Sequence, residues 1–110
     1  MEIINLTPHC INFVNDAGDF LSNIPSNGIA RVTSTTRVVD CYGYIPVTET
    51  TFGQVEGLPE EKEGVSYIVS RMVANAAKQE NPKRNDLLVP GLQVRDNEGR
   101  VIGCKSLDKV

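Results

Sequence analysis

The side chains that could take part in chemistry are few and widely spaced. His9 is the single histidine, and it follows Asn5 and Thr7 in the segment NLTPHC. Alternate residues of a strand point to the same face, so these three polar side chains are predicted to share one wall of a site. The imidazole would there contact a ligand or act as a general base. The alternative is a structural role, in which His9 only holds a strand break beside Pro8.

A second candidate lies at Ser70-Arg71, within VSYIVSRMVANAAK, where an apolar strand pattern passes into a helical one. The free N–H groups of a first helical turn, together with an arginine, suit a phosphate or a carboxylate. The turn lacks the glycines with which a P-loop or a dinucleotide fold wraps phosphates. The alternative is therefore a simple cap by Ser70 and a solvated Arg71.

A third candidate is the segment FGQVEGLP, which sets two glycines and a proline around Gln54 and Glu56. Such a loop can present side chains rigidly, and these two would read a base or a ribose. The alternative is a strand end with a bulge at one glycine. The acids that follow, in PEEKEG (59–64), are typical of a solvated loop, and they lack the alternating spacing of a calcium loop.

Composition and motifs narrow the function classes. A net charge of −3 disfavours duplex nucleic acid as the partner. No G-x-S-x-G, H-E-x-x-H, P-loop or paired-carboxylate motif occurs, so we assign no catalytic residue, metal or cofactor. Three cysteines without C-x-x-C spacing predict reduced thiols, mostly core, in a cytoplasmic protein. The first residues, MEIINLTPHC, contain no basic region and no long apolar run, which argues against a secretory signal, and no apolar run approaches membrane-spanning length.

The elements that must position these residues predict one α+β domain over residues 1–110. Short β-branched and apolar runs separated by turns predict mostly antiparallel and mixed β-sheet. The expected strands are a run over 2–14 broken at Pro8, the return arm of a hairpin after the turn 15–18, a strand over 29–39, two short strands near 44–48 and 51–56, strands at 65–69 and 87–91, and a closing hairpin around 96–99.

One crossover helix is predicted over about 70–80. Met72, Val73, Ala76 and Ala77 recur at helical spacing and form a narrow apolar stripe. Asn81-Pro82 should end the helix. A strand, a helix and a strand in this order imply a parallel strand pair, with the helix packed on a mixed sheet.

Several blocks, in their order along the chain, carry a resemblance. NLTPHCINF, IPSNGIARV, YGYIPV, FGQVEGLP, YIVSRMVANAA and DLLVPGLQVRDNEGRVIGC resemble a group of small, mostly hypothetical proteins of phages and prophages. The resemblance spans nearly the whole chain. It implies a phage accessory protein in the cytoplasm of the bacterial host, and it implies no catalytic residues. Small early phage proteins are often inhibitors of host defence.

The leading hypothesis is a non-enzymatic binding protein that sequesters a small phosphorylated signal, such as a cyclic nucleotide or an ADP-ribose derivative. In it Asn5, Thr7 and His9 form one wall, and Ser70 with Arg71 holds phosphate. A homo-oligomer is expected, since pockets often lie between subunits. One alternative is a protein–protein inhibitor of a host defence factor, acting through the acidic segment 56–63. Another is a small hydrolase of the same kind of signal.

Overall fold

The structure is a computed structural model that describes all 110 residues and contains ten strands and one helix. The elements are β1 (Glu2–Asn5), β2 (Ile11–Val14), β3 (Phe20–Ile24), β4 (Arg31–Tyr42), β5 (Ile45–Glu56), β6 (Val65–Ile68), α1 (Arg71–Glu80), β7 (Leu87–Pro90), β8 (Gln93–Arg95), β9 (Val101–Cys104) and β10 (Leu107–Lys109). The predicted α+β class with a single helix is confirmed. The helix is not long and apolar enough to cross a membrane.

A mixed four-stranded sheet forms the centre of the molecule, in the order β1-β6-β7-β10. β6 pairs in parallel with both β1 and β7, and β10 pairs antiparallel with β7. The predicted parallel pair on either side of the helix is thus confirmed. β10 was not anticipated, because three residues are too few to show an alternating pattern.

Helix α1 covers this sheet and begins where the sequence indicated. The Ser70 hydroxyl accepts the backbone N–H of Val73 at 3.2 Å, and the helix ends with the N–H of Asn81 donating to the Ala77 carbonyl at 2.9 Å. The buried face holds Val73, Ala74, Ala76 and Ala77. Met72 was predicted in the stripe and is 51% exposed. It lies about 100° around the helix from Val73, on the side away from Ala74.

The main core lies between this helix, the central sheet and two residues outside them, Leu6 just after β1 and Ala30 just before β4. Its buried members are Leu6, Ala30, Tyr67, Val69, Val73, Ala74, Ala77, Leu87 and Val89. Tyr67, Val69, Leu87 and Val89 are at most 2% exposed, so the segments predicted as buried-type strands are the most buried in the molecule.

A second four-stranded sheet has the order β3-β2-β9-β8. Both of its antiparallel pairs are hairpins that the sequence predicted, around the turns 15–18 and 96–99. Gly18 has φ +83°, a conformation that suits glycine in a tight turn. Ile11 and Cys104 from this sheet pack with Ile68 of the central sheet, which joins the two sheets into one domain.

The third sheet is an antiparallel pair of long strands, β4 and β5, of twelve residues each. Two short strands were predicted over 44–56, and this prediction is wrong. β5 runs through the whole segment, because Thr48, Thr50 and Thr51 all pair with residues of β4. Val32 and Val55 at the base pack against the main core. Residues 33–54, called the arm below, are exposed throughout.

The cysteines only partly follow the prediction of core thiols. Cys104 is 3% exposed, whereas Cys10 and Cys41 are exposed on the surface. All three are free thiols. Cys41 lies in β4 on the arm, where no core exists for it to enter.

Candidate functional site

Asn5, Thr7 and His9 lie close together, but not along one strand face as predicted: β1 ends at Asn5 and the chain bends over residues 7–9. The side chains of Asn5 and Thr7 face inward. The Asn5 amide Nδ2 donates to the carbonyls of His9, at 2.8 Å, and Ile24, at 2.9 Å. Its Oδ1 accepts the Thr7 N–H at 2.9 Å and the Thr7 hydroxyl at 2.7 Å. Asn5 is 0% exposed. The hydrogen-bonding capacity of this amide is therefore used within the protein, where it shapes the chain break around Pro8.

The imidazole of His9 is directed differently from these two side chains. The His9 carbonyl accepts the Asn5 amide and, at 3.0 Å, the Thr7 hydroxyl, while the residue as a whole is exposed. The imidazole is thus the part of this wall that remains accessible to a ligand.

Ser70 and Arg71 lie at the start of α1. The Ser70 hydroxyl is occupied as the helix cap. The Arg71 guanidinium lies 3.7 Å from the carboxylate of Asp108 on β10, and both side chains are more than half exposed. An exposed pair at this distance contributes little to stability, so an anion could compete with Asp108 for the arginine.

Gln54 lines a cleft between β5 and the last turn of α1, called the β5–α1 cleft below. The cleft has a volume of about 390 Å³, and its lining residues are Phe52, Gly53, Gln54, Ala76, Gln79 and Glu80. Phe52 is 48% exposed, so part of its ring is open to a ligand. A Cβ at Gly53 would collide with the Thr33 hydroxyl, so glycine allows the two strands to approach closely here.

Glu56 lies two residues farther along β5, opposite Arg31 of β4, and is not among the residues that line the cleft. Gly57, which follows it, has φ +79°. A bulge at one glycine was the alternative expectation for this segment. The pairing of β5 with β4 is indeed irregular at Gly53, opposite the segment from Val32 to Ser34.

The predicted site residues therefore occupy three places. Ser70 caps one end of α1 and Gln79 lies near the other. Nine residues at about 1.5 Å each separate them by about 14 Å. His9 belongs to the chain break between β1 and β2. A single ligand that contacts both Gln54 and Arg71 would have to extend along the helix.

Phe52, Gln79 and Glu80 were not among the predicted site residues. Phe52 and Gln54 are two residues apart in β5, so an aromatic side chain close to an amide was visible in the sequence. Gln79 follows Ala76 by three positions, which puts both on one side of the helix. Nothing in the sequence indicated that this part of α1 meets β5.

A second cleft, of about 240 Å³, lies beside β2 and β9 and has two thiols in its lining, Cys10 and Cys104. Burial raises the pKa of the Cys104 thiol above its usual value, and hydrogen bonds with the backbone of Ser106 and Gly91 oppose this only in part. Cys104 is therefore a protonated, weakly nucleophilic thiol at neutral pH.

The acidic loop 59–64 is tied to the body at its start. Arg84 donates to the Pro59 carbonyl at 2.6 Å and forms a two-pronged pair with the carboxylate of Asp86, at 2.7 and 3.1 Å. Both members of this pair are nearly buried, with side chains 12% and 7% exposed. The carboxylates of Glu60, Glu61 and Glu63 remain exposed.

No group of three or more histidine, cysteine, aspartate or glutamate residues lies within reach of one metal ion. Comparison with protein-family models, with curated proteins and with solved structures finds no match to this chain.

Proposed function

We propose that this protein is a non-enzymatic binding protein that sequesters a small ligand carrying a nucleobase. The observation that carries the proposal is the β5–α1 cleft, whose lining combines the half-exposed Phe52 with two amide side chains, Gln54 and Gln79. Base stacking on an aromatic ring contributes about 1–3 kcal/mol per base. An amide has both donors and acceptors and can pair with a base edge.

The chemistry of the lining favours holding a ligand over transforming it. Gln54 and Gln79 are neither nucleophiles nor acids and bases, and Glu80 is the only titratable side chain in the lining. The cleft volume of about 390 Å³ falls in the range of small-ligand sites.

The biological setting follows from the resemblance to small phage and prophage proteins. We propose a phage-encoded protein acting in the cytoplasm of the bacterial host. Its ligand would be a nucleotide-derived immune signal, either a cyclic nucleotide or an ADP-ribose derivative. Arg71, whose pairing with Asp108 is loose, would meet a phosphate only of a ligand that reaches about 14 Å along α1.

A thermal-shift screen against cyclic di- and trinucleotides, ADP-ribose and its cyclised isomers tests this proposal. A ligand at 100 times its dissociation constant stabilises the native state by about 2.7 kcal/mol. The ligand should be recovered intact after heat denaturation. Recovery of an altered product that disappears in His9→Ala would instead support the hydrolase.

Two variants locate the ligand. Gln79→Ala removes one amide from the cleft and should weaken binding about fivefold to tenfold, the effect of one lost hydrogen bond. Gln93→Ala removes an equivalent amide from β8, outside the cleft, and should leave the affinity unchanged. Equal affinities of Gln79→Ala and Gln93→Ala would place the ligand outside the cleft. In that case a third variant, Arg71→Ala, tests the start of α1, and a loss of affinity in this variant alone would place the ligand there.

The second candidate is a protein–protein inhibitor of a host defence factor. It is favoured by the exposed acidic loop 59–64, whose carboxylates could meet a basic partner. This function predicts a salt-sensitive complex in pull-downs from the host. Charge reversal at Glu60, Glu61 and Glu63 should abolish the complex, and a complex that survives reversal would count against this function.

A further inference from the structure

The chain has more accessible surface than a folded monomer of its size. Its surface is 7611 Å², whereas the scaling of monomer surface with mass gives about 6,000 Å² for a 12.0 kDa chain. The Cα radius of gyration is 16.9 Å, against about 13 Å for a compact domain of 110 residues. The excess is about 1,600 Å² by the same scaling.

The arm accounts for much of this excess. Seven of the fifteen large apolar side chains exposed in the protein belong to it, although it holds only residues 33–54: Val38, Val39, Tyr42, Tyr44, Ile45, Val47 and Phe52. Apart from Phe52, which borders the β5–α1 cleft, they cluster toward the tip. Such a cluster of exposed apolar side chains marks an interaction surface.

An isolated two-stranded ribbon is at best marginally stable in water. The arm has no third strand, since the sheet contains only β4 and β5 and each strand has a free edge. Beyond the backbone pairing of β4 with β5, the cross-strand contacts of the arm are between solvent-exposed side chains, such as the hydroxyls of Thr36 and Thr50 at 2.9 Å. A further surface is needed to hold this length of ribbon in one conformation.

We propose that the arm docks against the arm of a second copy of this chain, so that the protein is a dimer in solution. The arm carries one positive side chain, Arg37, and two negative ones, Asp40 and Glu49. Arg37 already lies 3.5 Å from Glu49 across the strands. A two-fold interface brings the same surface of two copies together, so that surface must be self-complementary. The arm meets this condition because it carries positive and negative side chains next to apolar ones.

The available area is sufficient for a stable dimer. Burying half of the excess surface on each copy would remove about 1,600 Å² in total, the size of a standard specific interface. The arm alone supplies part of this area. Ten residues per strand at about 3.3 Å and a width near 10 Å give a flat face of roughly 330 Å², so one face from each copy contributes about 660 Å² before the relief of the side chains is counted.

The test is the mass of the intact protein in solution, by light scattering or sedimentation, from micromolar to near-millimolar concentration. The wild-type chain should have twice the 12.0 kDa chain mass. The double variant Ile45→Lys/Val47→Lys changes two alternate residues on one face of the arm and should weaken association at least a hundredfold, since it brings like charges together.

The control is Leu21→Lys, which places one lysine at an exposed apolar position on β3, 62% exposed, and should leave the dimer intact. Hydrogen exchange of the wild-type chain gives an independent measurement, because arm amides should exchange more slowly as concentration rises. The proposal is overturned by a wild-type mass of 12.0 kDa at every concentration, or by a dimer that dissociates in Leu21→Lys but not in the arm variant. A monomeric chain that binds a host protein through the arm would also overturn it.

This dimer is independent of the proposed ligand. Loss of self-association in the arm variant with thermal shifts retained would support the dimer and show that ligand binding does not depend on it. A dimer whose melting temperature no nucleotide shifts would support the arm contact and refute the ligand proposed for the β5–α1 cleft.

Discussion

Replacing Asn5 by alanine should destabilise the protein by about 3 kcal/mol. The amide makes four hydrogen bonds, two to carbonyls and two from Thr7. Each is worth about 0.5–1.5 kcal/mol net, and an unpaired buried group costs more than the loss of the bond alone. The total loss is smaller than the sum of these four contributions, because the His9 carbonyl keeps the Thr7 hydroxyl as a donor.

The assay is equilibrium urea unfolding followed by far-UV circular dichroism. With a slope of about 1–3 kcal/mol per molar urea, the midpoint should fall by roughly 1–3 M. Asn23→Ala is the matched control, since it removes an exposed amide on the neighbouring strand β3 and should change stability by less than about 0.5 kcal/mol.

Asn5→Asp tests the direction of the hydrogen bonds. The carboxylate can still accept from Thr7, but it has no donor for the carbonyls of His9 and Ile24. This variant should be at least as unstable as Asn5→Ala at neutral pH and should regain stability in acid, where the protonated carboxyl can donate. A loss below about 1 kcal/mol in Asn5→Ala would refute the view that this amide organises the chain break.

Four other expectations concern the body of the protein. Thiol titration should find two reactive cysteines in the native protein and three after unfolding, because Cys104 is buried and its pKa is raised. Arg84→Ala should cost about 3–5 kcal/mol in urea unfolding by leaving the buried carboxylate of Asp86 unpaired. Ser70→Ala should cost about 1 kcal/mol through the lost helix cap. Backbone N–H groups of Arg100 and Glu98 lower the pKa of Asp96. The stability that the ionised Asp96 carboxylate contributes is therefore present above about pH 4 and lost in more acid solution. Asp96→Asn should flatten that part of the stability curve.

The sequence indicated the buried elements correctly because their patterns are strong. The apolar runs that became β6 and β7 were predicted as buried-type strands, and the helix between them carries an N-cap and a stop before Pro82. These features act within a few residues, so they can be recognised without knowledge of distant contacts.

The arm was misjudged because its continuity depends on distant pairing. The segment TETT at 48–51 resembles a polar loop between two apolar strands. It is a strand because Thr50 and Glu49 pair with Thr36 and Arg37. No burial contrast marks it, since both faces of the arm are exposed, and alternation then carries no information about length.

The candidate site was harder to predict than the fold for a related reason. The roles of Asn5, Thr7 and Ser70 as internal hydrogen-bonding groups depend on partners that only the folded chain supplies, such as the Ile24 carbonyl. The same polar types serve as ligand contacts and as caps or turn-formers. The meeting of Phe52 with Gln79 requires the base of the arm to cross the end of α1, which no local pattern specifies.

Stability and association can be measured separately in this molecule because they depend on different residues. Every buried residue lies outside the arm, and the arm joins the core only through its base, where Val32 and Val55 pack. Changes near the tip therefore remove nothing from the core, while Asn5 and Arg84 lie in the body and have no contact with the arm tip. Unfolding at low concentration thus reports on the body, and solution mass reports on the arm. A substitution at the tip that lowered the unfolding midpoint of the monomer would show that the arm packs on the body instead of on a second copy.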